Sequence, residues 1–377
     1  MKIIVISKNV GRTTPGIVTE RLIKGLSQSH ELDILTVDYD PSMDLDKVNR
    51  VIKYKYREMT KPLSKLFISI FSADPLDLFF AKKAIAQCDN KYDLILSLIS
   101  SNHYASLMIG NKLAKKITVK HFAHFLDAIP APGGWLKNDY FFKGLQRFIS
   151  KNLSQVDGLF STNQKMLDYQ LATFKHRDNL ISGVNYNPSS GKMEYYDYCR
   201  NGKNSFLFTG GLYGPRKPDY VLGAFKQILK EYPDSTLEFV GSKLPIDCLS
   251  IFSSDEREKI IIHPFTKDLT DYYRRATALI DIDSDLPGDV FLSSKIINYL
   301  TINRTIISET GDNSPSSELF KGVSSILQCG HSVDELAAAM KEAIQQQGKV
   351  NFSDREKVIS LFDLNSVINK LNKKISL

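Results

Sequence analysis

Apolar runs of strand length alternate with segments of helical spacing along most of this chain, and the alternation is interrupted once. Residues 2–7, KIIVIS, form an Ile/Val-rich run of the kind buried on both faces of a parallel sheet. The loop Lys8 to Gly16 follows, and IVTERLIKGLSQSH then places Ile17, Leu22, Ile23 and Leu26 at helical spacing. ELDILTVDY, YDLILSLIS (92–100), ITVKHFAHFLD, VDGLFSTN (156–163) and NLISGV (179–184) read as further strands, with SNHYASLMIGNKLAKK a helix after the second of these. Parallel strands need a crossover, usually a helix, so the pattern predicts βαβ units.

The break comes at VNYNPSSGKMEYYDYCRNGKN (184–204), a polar, aperiodic stretch with turn formers, which predicts a linker. Alternation then resumes. NSFLFTG, STLEFVG, KIIIHPF, TALIDID and RTIISE read as strands, and DYVLGAFKQILKEY, LTDYYRRA, SSKIINYLTIN and SVDELAAAMKEAIQQQ as helices. A chain of 377 residues also exceeds one typical core. The predicted class is therefore α/β, with two doubly wound Rossmann-like domains and an interdomain cleft onto which the carboxyl ends of the strands open. The expected boundaries are 1–183 for an N-terminal Rossmann-like domain, 184–204 for the linker, 205–355 for a C-terminal Rossmann-like domain, and 356–377 for a C-terminal helix packing back on the first domain.

The start, MKIIVISKNV, has no basic region followed by a longer apolar stretch, so no signal peptide is expected. No run approaches the ~18 apolar residues of a spanning helix. Cys88, Cys199, Cys248 and Cys329 are far apart and lack metal-ligand spacing, which suits buried or incidental thiols in a reducing cytoplasm. The net charge of +7 is unevenly spread: residues 1–183 hold 26 Lys and Arg against 17 Asp and Glu, and the remainder 23 against 25. A basic first half could face nucleic acid, an anionic membrane or phosphorylated substrates, and mere solubility would also account for it. Nucleic acid is the least favoured partner, because no recognised reading module accompanies the charge.

Two loops carry candidate chemistry. FTGGLYGPRKP (208–218) lies between the first strand of the second domain and a helix. Gly210 and Gly211 would let backbone approach a ligand closely, Arg216 could fork onto phosphate oxygens, and Lys217 would supply a compact charge. A solvated turn of the same composition is an equally open reading of this motif alone. DLPGDVFLSSKIINYLTINRTIIS (285–308) sets Ser293, Ser294 and Lys295 where a helix begins, with Asn298 on the face of Lys295. By itself that is an ordinary serine cap beside a solvated lysine.

Taken in order, GGLYGPRKP, EFVGS, HPFT and VFLSSKIINYLTINRTII resemble the second domain of GT-B-type glycosyltransferases, particularly family 4. The resemblance covers most of residues 180–310 and extends more weakly over the first half. It implies Lys217 on the diphosphate of a nucleotide-sugar donor, with Arg216 as a second contact. Lys295 and the amides of Ser293 and Ser294 would receive the distal phosphate, Phe265 would sit in the loop that holds the base, and Gly16 would lie in a loop near the donor phosphate and sugar. The chain departs from the family at Gly211, where an arginine is usual. Val290 and Asn298 stand where the family has two glutamates, with Asp289 adjacent to the first. Asn298 retains hydrogen-bonding capacity toward a ribose without a charge.

HFAHFLDAIPAPGGW (121–135) ends a strand in polar residues before a Pro/Gly loop, making His121, His124 and Asp127 candidates. It resembles the family's His-Phe-x-Asp-Pro-Trp stretch, which implies that Asp127 holds a sugar hydroxyl or orients the acceptor. Leu126 stands where many relatives have a histidine, and His124 faces either the site or the core. No third ligand follows His121 and His124 at metal spacing, so no metal or other cofactor is expected. The resemblance implies transfer with retention from a nucleotide-diphosphate sugar to a saccharide or lipid-linked saccharide, in surface polysaccharide assembly. KYKYREMTKPLSKLFISIF (53–71) and WLKNDYFFKGLQRFISKNL (135–153) interleave cations with apolar residues, as peripheral contact with the cytoplasmic face of an anionic membrane requires. Inward packing of the aromatics is the alternative. Two rival functions share the architecture: a sugar-nucleotide epimerase, and a noncatalytic binding partner of a biosynthetic complex.

Overall fold

The computed structural model describes residues 1–377 except 12, 41, 43–46, 56–60, 72–74, 90, 102–103, 136–138, 190, 199–202 and 377. The chain divides into two compact units, Met1–Pro188 with Leu364–Leu377, and Ser189–Asp363. In the first, β1 (Lys2–Val10), α1 (Thr14–Leu26), β2 (Glu31–Tyr39) and β3 (Val48–Lys53) precede two helices, α2 (Lys61–Phe71) and α3 (Pro75–Ala86). Next come β4 (Leu94–Ile99), α4 (Ala105–Ile117), β5 (Lys120–Phe125), α5 (Asp139–Leu153), β6 (Gly158–Ser161), α6 (Gln164–Thr173) and β7 (Ile181–Val184).

The second unit runs β8 (Ser205–Thr209), α7 (Asp219–Glu231), β9 (Thr236–Val240), α8 (Ser254–Arg257), β10 (Ile260–His263), α9 (Thr270–Arg275) and β11 (Ala278–Ile282). It continues with α10 (Ser294–Tyr299), β12 (Thr305–Glu309), α11 (Pro315–Leu319), β13 (Ile326–Cys329), α12 (Val333–Gln345) and α13 (Arg355–Phe362). The last helix, α14 (Leu364–Ile375), belongs to the first unit.

Among the described residues, the strands of the first unit form a seven-stranded sheet, β3-β2-β1-β4-β5-β6-β7, and those of the second a six-stranded one, β10-β9-β8-β11-β12-β13. Every pairing is parallel. The expected class, two doubly wound α/β domains, is the observed one. In each sheet the first strand of the unit lies centrally and the order reverses beside it, the place where open α/β sheets bind ligands. Ile3, Ile4, Val5 and Ile6 of β1 are fully buried, as an apolar run covered on both faces should be.

Sequence patterning missed β3, α2, α3, α6, α8, α11 and β13. β3 is an edge strand whose burial alternates weakly, so no apolar run announced it. α14 packs on α1, burying Val367, Ile368, Leu371 and Ile375 at helical spacing.

Two buried guanidinium groups hold the polar stretch after Ser189 and the start of α13 on the second unit. Arg304 donates to the carbonyls of Ala276, Tyr196, Asn303, Asp197 and Arg274 at 2.8–3.2 Å and stacks 3.8 Å from the Tyr198 ring centroid. Arg355 donates to Ser325 Oγ and to the carbonyls of Ile302, Arg304 and Ser325 at 2.6–2.9 Å. Carbonyls that a strand or helix would satisfy are satisfied here by side chains. Cys88 and Cys329 are buried free thiols and Cys248 is half-buried, while Cys199 lies outside the described residues.

Candidate functional site

The carboxyl edge of the second sheet collects most of the expected donor-binding residues. β8 ends at Thr209, and Gly210 turns the chain with a φ of +85°, its N–H donating to the Val240 carbonyl at 2.8 Å. A Cβ at Gly210 would come 3.1 Å from Lys295 Cε, a contact that a small shift of the lysine relieves, so it is the backbone angle that calls for glycine. The Tyr299 hydroxyl accepts the Thr209 N–H at 2.8 Å, tying α10 to the end of β8. Ser293 caps α10, accepting the Lys295 N–H at 3.3 Å and donating from its hydroxyl to Asp281 Oδ1 at 2.6 Å.

Arg216 and Lys217 are neighbours with opposite surroundings. Lys217 is exposed. Arg216 is 5% exposed; it donates to Asp283 Oδ1 at 3.1 Å and to the Tyr213 hydroxyl at 3.1 Å. Burial opposes its charge, but the carboxylates of Asp283, Asp281 and Asp289 outweigh it and raise its pKa. Lys295 Nζ lies 5.3 Å from the Phe208 ring centroid and 5.5 Å from that of Tyr213. Burial, with the like charge of Arg216, brings the Lys295 ammonium down to about 8, against the pull of Asp281 and Asp283.

The carboxylates below these cations are buried too. Burial lifts Asp283 to about 7; Arg216 draws it down, and Asp281 and Asp289 push it up. Burial also raises Asp281. Asp289 accepts the Phe291 N–H at 3.1 Å and the Ser284 hydroxyl. One strand over, Glu309 Oε1 lies 2.8 Å from His331 Nδ1. Burial raises Glu309; it opposes the charge on His331, which Glu309 and Asp285 nonetheless raise. Second carboxylate oxygens of Asp281, Asp283 and Glu309 are buried with no partner among the described residues.

Arg216, Lys295, Ser293, Gly210 and Asp289 thus share one edge. Phe265 stands at the neighbouring loop, 71% exposed beside Gly241, whose Cβ would meet its ring at 3.4 Å. Ser294 is half-buried and Asn298 exposed on α10. Of the departures, Gly211 is exposed and Val290 buried. Asp281, Asp283, Glu309 and His331 were missed by sequence reasoning. Their signal was present: acidic residues closing otherwise apolar strands, in TALIDID and RTIISE.

The first unit carries four candidates: Gly16 in α1 after β1, His121 and His124 on β5, and Asp127 just after it. Gly16 lies in the first turn of α1, its carbonyl accepting the Gly11 N–H at 3.0 Å. A Cβ there would fall 2.7 Å from the Gly11 carbonyl oxygen, so the loop closes only around glycine. Asp127 follows β5 and accepts the Ser101 N–H at 2.8 Å. His124 is fully buried, with Nε2 3.1 Å from the Asn185 carbonyl and Nδ1 without a partner among the described residues. Burial brings it down to about 4, only partly offset by that carbonyl, so the ring is neutral at pH 7. His121 is likewise buried and saturated, between Asn111 Oδ1 and Ser97 Oγ at 2.8 Å each.

No protein-family model matches the chain, and no curated protein matches it in sequence. Solved structures are similar over its whole length. HepE of Anabaena, in complex with UDP and glucose, has a TM-score of 0.71 at 13% identity, covering 100% of this chain and 99% of its own. Sucrose-phosphate synthase from Thermosynechococcus elongatus has a TM-score of 0.72 at 13% identity, with 100% and 98% covered. A putative UDP-N-acetylglucosamine 2-epimerase from Listeria monocytogenes has a TM-score of 0.56 at 12% identity, with 100% and 95% covered. The fold is GT-B, and the structural neighbours include GT-B glycosyltransferases.

Proposed function

We propose that this protein is a retaining GT-B glycosyltransferase that moves a sugar from a nucleotide-diphosphate donor to a saccharide or lipid-linked saccharide acceptor. The observation that carries the reading is the half-buried Lys295, set with Arg216 at the carboxyl edge of the second sheet, in a fold shared with a protein solved with UDP and glucose. Lys295, Lys217 and the amides of Ser293 and Ser294 would hold the diphosphate. Arg216, fixed by Asp283 and Tyr213, would add positive charge from beneath, Phe265 would flank the base, and Asn298 would meet the ribose. Gly16 would let the first unit's loop approach the donor, and Asp127 would orient the acceptor.

In the transfer, the bond between the anomeric carbon and the diphosphate oxygen breaks, and the acceptor oxygen bonds to that carbon on the same face. The acceptor's proton passes to the leaving phosphate oxygen. Negative charge grows on the diphosphate, so fixed cations in a poorly hydrated site lower the barrier without a metal. No separate nucleophile is assigned. His124, neutral and buried, would shape the site rather than exchange a proton. The setting would be surface polysaccharide assembly at the cytoplasmic face of an anionic membrane. No helix among the described residues is long and apolar enough to cross one.

One observation favours a second reading, a sugar-nucleotide epimerase: the buried carboxylates Asp281, Asp283 and Glu309 lie at the same strand ends, and an epimerase fold is among the neighbours. Calorimetric titration with UDP, GDP, ADP and CMP, with EDTA and with magnesium, tests the donor site. Selective, metal-independent binding of one diphosphate is expected; no binding of any would leave a noncatalytic role. Incubation with the matching sugar nucleotide then separates transfer to an added saccharide from isomerisation without one.

A further inference from the structure

Among the described residues of the first unit, the exposed large apolar side chains other than Met1 all fall between Leu63 and Phe79. Leu63, Leu66, Ile70 and Phe71 on α2 are 48–66% exposed, and Phe79 on α3 is 50% exposed. Residues 63, 66 and 70 follow helical spacing, so they form one face. The opposite side of α2 is spent: Ile68 is buried, and the backbone at Ile68–Ser69 lies so close to Gly144 of α5 that a Cβ there would be 2.5 Å from the Ile68 carbonyl oxygen. The apolar face therefore cannot turn inward. On the second unit the exposed apolar residues, such as Tyr195, Ile251 and Ile262, are scattered along the sequence.

The same stretch is basic in sequence. Residues 53–83 hold seven Lys and Arg against three Asp and Glu. Lys82 and Lys83 on α3 are exposed, as are Lys143, Arg147 and Lys151 on α5. Lys83 Nζ lies 4.6 Å from the Phe79 ring centroid, and Arg147 donates to the Ser69 carbonyl of α2. Among the described side chains of α5, Leu145, Phe148, Ile149 and Leu153 are spent on the core.

We propose that the α2–α3 pair docks this protein on an anionic lipid bilayer, with Leu66, Ile70, Phe71 and Phe79 entering the boundary between headgroups and acyl chains. This rests on the membrane contact of the proposed function and says which element makes it, with α5 supplying charge alone. An exposed apolar helix face, with exposed lysines on α3 and α5, matches an anionic interface. A second copy of the chain fits it poorly, because a two-fold contact sets the same cations against each other.

The test is co-sedimentation of the full chain with phosphatidylcholine vesicles, with and without phosphatidylglycerol. The parent should partition onto the anionic vesicles at least about tenfold more strongly, as a few basic residues near the surface require. Leu66→Ser/Ile70→Ser/Phe71→Ser should lose about tenfold or more of that partitioning while its thermal unfolding and UDP titration match the parent's. Lys143→Gln/Lys151→Gln should lose less. A triple variant that binds as the parent does overturns the assignment and leaves the membrane contact standing; a parent that binds no vesicle overturns both. A parent dimer that the triple variant splits, with no vesicle binding, makes the patch a contact between copies and also overturns the proposal. Should the triple variant fail to fold, Phe71→Trp decides: its emission should shift to the blue on phosphatidylglycerol vesicles, and an unchanged spectrum overturns the proposal.

Discussion

The two sheets share a strand order around their central strands, yet their carboxyl edges are built from different chemistry. The first edge carries Gly16, a neutral His124 and Asp127, each held by a few hydrogen bonds. The second carries Arg216 and Lys295 over Asp281, Asp283, Asp289 and Glu309, five of the six buried and Lys295 half-buried. One topology supports both because the sheet fixes only where strand ends fall; the residues placed there decide the field. Burying so many charges is costly unless they are paired, and three carboxylate oxygens have no partner among the described residues. A site that tolerates this is arranged for something other than stability.

The contrast can be broken most sharply at Arg216. Arg216→Leu leaves Asp283 without its cation, and a loss of about 3–5 kcal/mol in urea unfolding is expected, as for one partner removed from a buried pair. A loss below about 1 kcal/mol would mean that the pair is no more than a surface contact. Removing Arg304, which saturates five backbone carbonyls, should cost about 3 kcal/mol. The donor edge itself is tested by Lys295→Ala, with UDP affinity expected to fall by about 10- to 100-fold, the worth of one charge-assisted bond. Lys217→Ala, at an exposed cation, should cost less, and either variant binding as the parent does would remove that lysine from the donor site.

The same lysine sharpens the comparison through pH. Its folded pKa of about 8 lies below the unfolded value, so the unfolded chain binds the proton more tightly between pH 8 and about 10.5. Across that window its contribution to stability should rise with pH while diphosphate affinity falls. Asp283 has the opposite linkage: raised to about 7, it contributes stability that is full below about 4 and lost as pH rises through 7. Unfolding titrations of Lys295→Met and Asp283→Asn against the parent would isolate each slope. The smallest effect is expected on the first edge, where His124→Gln should cost about 1 kcal/mol, one neutral hydrogen bond, and leave UDP affinity unchanged.

Much of this was legible in the sequence. The alternation of apolar strands and amphipathic helices announced parallel sheets, because burial on both faces demands runs such as KIIVIS. The same reading passed over β3, whose half-exposed residues leave no apolar run. It also passed over Asp281 and Asp283, since a carboxylate inside an apolar strand looks like an exception until its partners are in place. Two segments rich in lysine and aromatics looked equivalent along the chain, 53–71 and 135–153, but α5 turns its apolar face into the core while α2 presents one outward.

Local pattern determined the class of fold and the order of the loops, because period and turn chemistry act between residues a few positions apart. Only the tertiary structure decided that Arg216 is buried on Asp283 while Lys217 beside it meets solvent. It likewise decided which lysine is drawn down by burial and which apolar helix face stays uncovered. Burial and Coulomb energies depend on what distant segments bring to the same place, and adjacency along the chain does not specify that.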